Sequence, residues 1–296
     1  MVSILIPVFN YNVVDLVELL NSMGIESDIP FEIIIADDAS TDLASAKINS
    51  DLDYLTNVTY YDWKENKGRA ATRDFLARKA TFDTLLFLDA DVMPQAKEFL
   101  SKFIDRINDA DVIFGGVAYS IEKPKKNNLL RWTYGKNRET RTVTQRCSTP
   151  YLSVISGAIC IKKEVFIKAN SYLDSGYGLD VLFVYNLQQA KAKVLHIDNP
   201  VLHLGLENSE IYINKTKSGL KTLARLQHTK KIPLNYRPIQ KVALKLQKLN
   251  LASGFISLFS KVEDRTIKNL LSSKPSLKLF DAYRLYYFLK ILQADA

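Results

Sequence analysis

The chain has 296 residues, of which 47% are hydrophobic, 24% charged and 10% aromatic, a balance that can bury a sizeable core and excludes a disordered tract, a collagen-like repeat or a small stapled scaffold. Its two cysteines allow at most one bridge, and no charged-then-apolar leader opens the sequence, so a reduced, cytoplasmic protein is expected. The net charge of +8 is unevenly placed: residues 1–205 hold 23 Lys and Arg against 26 Asp and Glu, residues 206–296 hold 17 against 6, and two regions with different tasks are expected.

In chain order, β-branched runs predict strands at Val2–Val8, Phe31–Ala36, Val58–Asp62, Thr84–Leu88, Val112–Tyr119 and Ala192–Asp198. Apolar residues at three-to-four spacing predict helices at Asn12–Met23, Gly68–Lys79, Gln95–Asn108, Lys163–Ala169 and Asp180–Ala190. Such alternation implies an α/β fold, a mostly parallel sheet with helices on both faces. Pro124–Asn128, with its lysines and paired asparagines, reads as a mobile loop, and the polar stretch on to Thr149 has no clear period. Beyond Gly205 come basic amphipathic helices such as Ile239–Leu249 and Ser276–Leu292, a helical appendage without strong strand signals. No run approaches the ~20 apolar residues that cross a bilayer.

Ligands of an open α/β sheet bind outside the carboxyl ends of its strands. Three segments stand there: Pro7-Val8-Phe9-Asn10, Asp37-Asp38-Ala39-Ser40 and Asp89-Ala90-Asp91. Asp38 by itself reads equally well as a local turn or helix cap. An isolated Asp-x-Asp is a weak signal, but directly after a buried strand the two carboxylates project to one side and suit a hard divalent cation. Mg²⁺ or Mn²⁺ held by few carboxylates completes its shell with substrate phosphates, so a metal-diphosphate site is expected.

The order of these motifs resembles the family 2 glycosyltransferases. The pieces that carry the likeness are Val2-Ser-Ile-Leu-Ile-Pro-Val-Phe-Asn10, Ile35-Ala-Asp-Asp-Ala-Ser40, Asn66-Lys-Gly-Arg-Ala-Ala-Thr-Arg-Asp74, Leu88-Asp-Ala-Asp91 and Ser156-Gly-Ala-Ile159. The resemblance covers about the first 205 residues and implies a GT-A nucleotide-sugar-binding domain there, followed by a basic helical region over 206–296. It implies that Pro7 and Phe9 line the nucleotide pocket and that Asp38 accepts a hydrogen bond from the base, most often uracil. Lys67 and Arg73 would lie beside the base and diphosphate, Asp89 and Ala90 beside the donor, and Asp91, helped by Asp89, would ligate Mn²⁺ or Mg²⁺. Arg69 and Arg73 share one face of a helix opened by Gly68, where cations and a helix N-terminus suit an anionic ligand, with a solvated basic face as the alternative.

Inverting transfer needs a carboxylate to take the acceptor proton. The family supplies it in a Gly-rich loop ending Glu-Asp; here the matching segment is Asp174-Ser-Gly-Tyr-Gly-Leu-Asp-Val-Leu-Phe183, in which Leu179 stands where the Glu would be and Asp180 is the remaining acid. Asp180 is thus the candidate base, against the alternative of a helix cap. His203 resembles a histidine that completes the metal shell or contacts phosphate in related enzymes, with a satisfied, partly buried histidine equally open; for His196 the structural role is favoured. A Gln-x-x-Arg-Trp motif and membrane spans, which mark the processive synthases, are missing at Gln188–Ala192, so transfer of one sugar is expected.

The function implied is metal-dependent transfer of a sugar from a nucleotide-sugar, a UDP-sugar in the first place, to a glycan or lipid-linked acceptor of the cell envelope. The alternative is a non-catalytic nucleotide-sugar or glycan binding module. The basic tail is expected mainly to pack its apolar faces on the domain, with peripheral contact at the inner face of the membrane as the second possibility. Nucleic acid is not an expected partner, since no nucleic-acid module accompanies the charge. Neither a dinucleotide fingerprint nor a nucleotidyltransferase's glycine-rich loop follows the first strand.

Overall fold

Val2–Val8 (β1) is buried along nearly its whole length, with Ile4, Leu5 and Ile6 wholly out of contact with water, as a run apolar on both faces requires of a central strand. The computed structural model describes residues 1–155, 157–170 and 176–294. The other strands are Phe31–Asp37 (β2), Val58–Asp62 (β3), Thr84–Leu88 (β4), Val92–Pro94 (β5), Val112–Phe114 (β6), Val117–Ala118 (β7), Ala158–Lys162 (β8), Val194–His196 (β9) and Val201–His203 (β10). Among the described residues, seven form one sheet in the order β3-β2-β1-β4-β8-β6-β9, in which β8 runs antiparallel to both neighbours and every other pair is parallel. A small second sheet has the order β5-β10-β7.

Contacts divide the chain into two units. The first comprises Met1–Ser120, Glu139–Ser175 and Phe183–Gly205 and contains both sheets. The second comprises Ile121–Arg138, Gly176–Leu182 and Leu206–Ala296, so the segment predicted as a mobile loop and the one bearing Asp180 go with the basic helices.

Several expected elements are corrected. The strand predicted over Val112–Tyr119 breaks at Gly115-Gly116 into β6 and β7, which belong to different sheets. A side chain on Gly115 would collide with the Asn199 backbone and the Phe103 ring, and Gly116 has φ +107°. Buried Arg146 reaches the break: its guanidinium donates to the carbonyls of Phe114 at 2.9 Å, Gly115 at 3.3 Å and Ile197 at 2.9 Å. The helix expected over Gln95–Asn108 is only Phe99–Ile104, enough to bury Phe99, Leu100 and Phe103. β8 was not expected; its short apolar run follows small residues that read as a turn.

The polar stretch before Thr149 holds three short helical segments, Leu129–Tyr134, Gly135–Glu139 and Val143–Cys147. The last opens with a reciprocal cap in which Thr142 Oγ1 accepts from Gln145 N at 3.3 Å and Gln145 Oε1 accepts from Thr142 N at 3.0 Å. The Asn127-Asn128 pair is not loose either: Ser209 Oγ donates to Asn127 O at 2.7 Å and Asn128 Nδ2 donates to Leu206 O.

In the second unit the helices Ser209–His228, Ala252–Ser260, Glu263–Leu270 and Leu277–Ala294 bury apolar residues together, around Leu130, Tyr212, Phe259, Leu270, Phe280 and Tyr283, and Pro238–Lys248 buries Gln240 and Ala243. Among the described residues no helix is long and apolar enough to cross a membrane. Both cysteines are free, Cys147 exposed and Cys160 buried on β8, where burial pushes its thiol up to about 12. A thiol reagent near pH 8 is therefore expected to modify Cys147 and spare Cys160 until the protein unfolds; mass spectrometry should count one adduct per native chain, and two would contradict this packing.

Candidate active site

At the end of β1 the chain turns at Asn10, whose φ of 52° is a left-handed conformation that Asn tolerates better than most residues. Asn10 Oδ1 accepts from Thr41 N at 2.7 Å and Asp42 N at 3.0 Å, and Asn10 N donates to Ser40 Oγ at 2.7 Å. This residue ties the loop after β1 to the loop after β2, and sequence reasoning quoted it without giving it a role; its signal was an Asn directly after a strand. Beside it Pro7 is half-buried at the end of β1, and Phe9 is 49% exposed, an apolar ring left open to a ligand.

The two carboxylates ending β2 are committed. Asp37 accepts from Ser40 N at 2.7 Å and from the Tyr60 hydroxyl at 3.0 Å. Asp38, also buried, accepts Lys67 N at 2.7 Å on Oδ1 and Gly68 N at 2.9 Å on Oδ2, and its own carbonyl accepts from Asn66 Nδ2 at 2.9 Å. Burial pushes its carboxyl up, against the pull of these N–H donors. Asp38 thus holds the loop that enters the helix Arg69–Lys79, where Gly68 takes a φ of +84°. Lys67 leaves its ammonium over the Trp63 ring, 4.6 Å from the centroid.

That helix aims its cations at the end of β4. Arg73 Nη2 donates to Asp89 Oδ1 at 2.8 Å and Arg69 Nη2 donates to the same carboxylate; Arg73 also lies over the Phe87 ring. Burial works to raise the Asp89 carboxyl, but the two arginines overcome it and hold it below the usual carboxylate range. Asp89 N donates to Gly157 O at 2.9 Å, which places the residue before β8 against the motif. Ala90 is the half-buried turn between the two aspartates. Ser156, Asp174 and Ser175 lie outside the described residues.

Asp91 faces another partner. It leads into β5, which pairs antiparallel with β10 so that Val92 lies opposite His203, and His203 Nε2 comes to 3.5 Å from Asp91 Oδ2. The imidazole stacks on Tyr119, ring centroids 5.2 Å apart, and Tyr119 donates to Glu139 Oε2. Burial pushes the Asp91 carboxyl up, with His203 pulling it down and Asp89 adding to the rise; its charge also raises the Tyr11 phenol, already raised by burial. So of the three residues expected around a metal, Asp91 and His203 are brought together while Asp89 is turned to the arginines. Among the described residues no group of three or more His, Cys, Asp or Glu side chains is arranged to hold a metal.

Gly205, Tyr119, Tyr11 and Glu139 were missed by sequence reasoning because each matters through a distant contact. Gly205 is the sharpest case: a Cβ there would sit 2.7 Å from Asp91 Cβ and 2.8 Å from its Cγ. Gly205→Ala is expected to cost about 1–3 kcal/mol of stability and to displace Asp91. Thermal melting would fall; a variant with the wild-type melting temperature would show that Asp91 gives way there without cost. His196 takes the structural role expected, buried with Nε2 2.9 Å from Pro150 O and its ring edge-on to Phe114.

Asp180 belongs to the second unit and stands exposed in the first turn of the helix Asp180–Gln189. The loop before it uses Gly176 at φ 116° and Gly178 at φ 93°, and a Cβ on Gly178 would lie 3.1 Å from Gly219 Cα on the helix Ser209–His228.

Residues 3–168 match the family model described as Glycosyl transferase family 2. The chain is 31% identical over 176 residues to an uncharacterized glycosyltransferase of Haemophilus influenzae, covering 57% of this chain and only 55% of that protein. A second uncharacterized glycosyltransferase of the same organism is 25% identical over 224 residues, 75% of this chain and 86% of the relative. Among solved structures, a mannosyltransferase from Pyrobaculum calidifontis in complex with GDP-Man and Mn²⁺ superimposes with a TM-score of 0.55 at 15% identity, over 99% of this chain and 86% of that one. Glucosyl-3-phosphoglycerate synthase from Mycobacterium tuberculosis, in complex with Mg²⁺ and UDP, gives 0.50 at 13% identity over 79% and 80%. At such identities the likeness is one of fold.

Proposed function

Since the chain belongs to glycosyl transferase family 2 and has the GT-A fold, we propose that it is an inverting, metal-dependent glycosyltransferase moving one sugar from a nucleotide-sugar, preferably a UDP-sugar, to a glycan or lipid-linked acceptor of the cell envelope. The observation that carries this reading is the approach of His203 Nε2 to 3.5 Å from Asp91 Oδ2, next to an Asp89 braced by two arginines. A carboxylate oxygen and an imidazole nitrogen are donors that Mn²⁺ accepts, and two protein ligands leave positions for diphosphate oxygens. Asp91 and His203 would hold Mn²⁺ or Mg²⁺, which when bound offsets the charge growing on the departing nucleoside diphosphate.

The chain's own residues do the rest. Pro7 and Phe9 offer an apolar edge to the base, and Asp38 shapes the pocket by accepting the Lys67 and Gly68 amides, one on each oxygen, so that a base donor would share an oxygen with one of them. Lys67, Arg69 and Arg73 put positive charge beside the diphosphate, and Asp89 keeps the two arginines in place next to Ala90. Asp180 takes the proton of the acceptor hydroxyl. Leu179, which stands where the family has Glu, favours the second reading of a binding module without turnover.

Thermal melting with a panel of nucleotide-sugars, in Mn²⁺ and in excess chelator, tests the proposal. A donor at ~100 times its dissociation constant adds about 2.7 kcal/mol of stability, and a gain that survives the chelator unchanged would count against metal-dependent binding. Slow Mn²⁺-dependent release of UDP to water separates the enzyme from the binding module.

Peripheral membrane contact forms part of the same proposal. Leu249, Leu251 and Leu258 are 55, 53 and 69% exposed, with Lys245, Lys248 and Lys261 close to them in sequence. Each basic residue near an anionic surface adds about 1 kcal/mol. Replacing Leu251 and Leu258 by Asp is expected to abolish salt-sensitive co-sedimentation with anionic vesicles; co-sedimentation that persists unchanged would contradict this contact.

A further inference from the structure

The second unit contains a cavity of about 570 Å³ lined by Lys221, Arg225, His228, Ile291 and Ala294. The three polar residues come from one helix, Ser209–His228, at spacings of four and three, so their side chains rise in a row from one face. From Ile211 to Lys231 the chain carries six Lys and Arg and no Asp or Glu. Among the described residues neither Lys221 nor His228 has a hydrogen-bond or ion-pair partner. Positive charge is thus concentrated at a concave place, while Ile291 and Ala294 give it an apolar wall.

The loop that leads to Asp180 lies on the same helix. A Cβ on Gly176 would stand 3.0 Å from Thr222 Oγ1 and 4.0 Å from Arg225 Nη2, and one on Gly178 would meet Gly219. Arg225 therefore borders both the cavity and this loop. From Gly219 to Arg225 the helix rises about 9 Å, a separation that a sugar ring bearing a phosphate can bridge.

We propose that this cavity binds a phosphate group carried by the acceptor. The inference rests on the reading of the chain as a glycosyltransferase with Asp180 as its base. Arg225 supplies a planar fork matched to phosphate oxygens, Lys221 a point charge and His228 a ring N–H donor, while the apolar wall receives the carbon skeleton next to the phosphate. Such a phosphate belongs either to a soluble sugar phosphate or to a lipid, and the chemistry that recognises it is the same.

The test uses the full chain and two probes: glycerol 3-phosphate, with glycerol as control, measured by titration calorimetry, and phosphatidylcholine vesicles containing phosphatidic acid, with vesicles brought to equal negative charge by phosphatidylserine as control, measured by co-sedimentation. Binding of glycerol 3-phosphate but not glycerol supports a soluble source, and binding confined to phosphatidic acid vesicles supports a lipid source. In either case Lys221→Ala/His228→Ala is expected to weaken binding about ten-fold or more, while UDP-sugar binding in Mn²⁺ and the melting temperature stay as in the wild type. Should the double variant fold poorly, Lys221→Gln alone is expected to weaken phosphate binding and Lys221→Arg to restore it. The inference is overturned if neither phosphate probe binds better than its control, or if the variants bind as the wild type does, which is the outcome for cations that only complement the helix C-terminus. A protein that binds phosphate probes but no nucleotide-sugar would instead sink the glycosyltransferase reading and overturn the acceptor assignment with it, leaving the cavity as a phosphate site of another kind.

Discussion

Asp91→Asn is expected to lower kcat/KM for sugar transfer by about 10²–10³-fold and to strip the residual rate of its dependence on Mn²⁺. Asparagine keeps the shape of the side chain, so the backbone bond from Leu204 N to Asp91 O at 2.8 Å should survive and the fold with it. What the change removes is one negative charge and one anionic oxygen facing His203. His203→Ala should produce a smaller loss, because the carboxylate remains. Steady-state rates across a Mn²⁺ titration check both expectations. An Asp91→Asn enzyme with the wild-type rate and the same Mn²⁺ response would show that the ion, if used at all, is held elsewhere.

The second large effect is expected at Asp180. Asp180→Asn should reduce turnover by about 10²–10⁴-fold while leaving nucleotide affinity unchanged, because the amide can still accept a hydrogen bond but cannot take a proton. The competing role, a carboxylate favouring its helix N-terminus, is worth only about 0.3–1 kcal/mol and would leave the rate intact. Acceptor-dependent turnover and donor affinity measured on the same sample separate the two. Unchanged turnover removes Asp180 from the chemistry and assigns the proton to another base, whereas a wild type without acceptor-dependent turnover favours the binding-module reading that Leu179 suggests.

The parts of the fold that were legible in sequence are those set by local pattern. β1, β3 and β4 lie where uninterrupted apolar or β-branched runs put them, and the polar motifs fall directly after β1, β2 and β4 because the sheet's carboxyl edge is where those runs stop. The parts that were not legible depend on residues far apart in the chain. Nothing local to Val112–Tyr119 says that Arg146 will reach the carbonyls of Phe114, Gly115 and Ile197 and so allow the strand to break there. β5 and β10 are three residues each, too short to leave a period, yet their pairing is what sets His203 beside Asp91. The candidate site shows the same division. Asp89 and Asp91 were recognisable as a pair, but their different partners were not, since the arginines come from a helix some twenty residues earlier and the histidine from a strand over a hundred residues later. The cap at Thr142 and Gln145 was a local signal passed over, a Thr-x-x-Gln in a stretch that otherwise has no period.

The account stands on Asp91 as the residue that brings a divalent ion to a nucleoside diphosphate. Titrating Mn²⁺ into the protein with UDP present, and following free Mn²⁺ by its electron paramagnetic resonance signal, tests that most directly. The wild type should take up one Mn²⁺ per chain with an affinity that rises when UDP is added, and Asp91→Asn should lose that uptake while remaining folded. Uptake by the variant equal to that of the wild type, or no uptake by either in the presence of UDP, would contradict it.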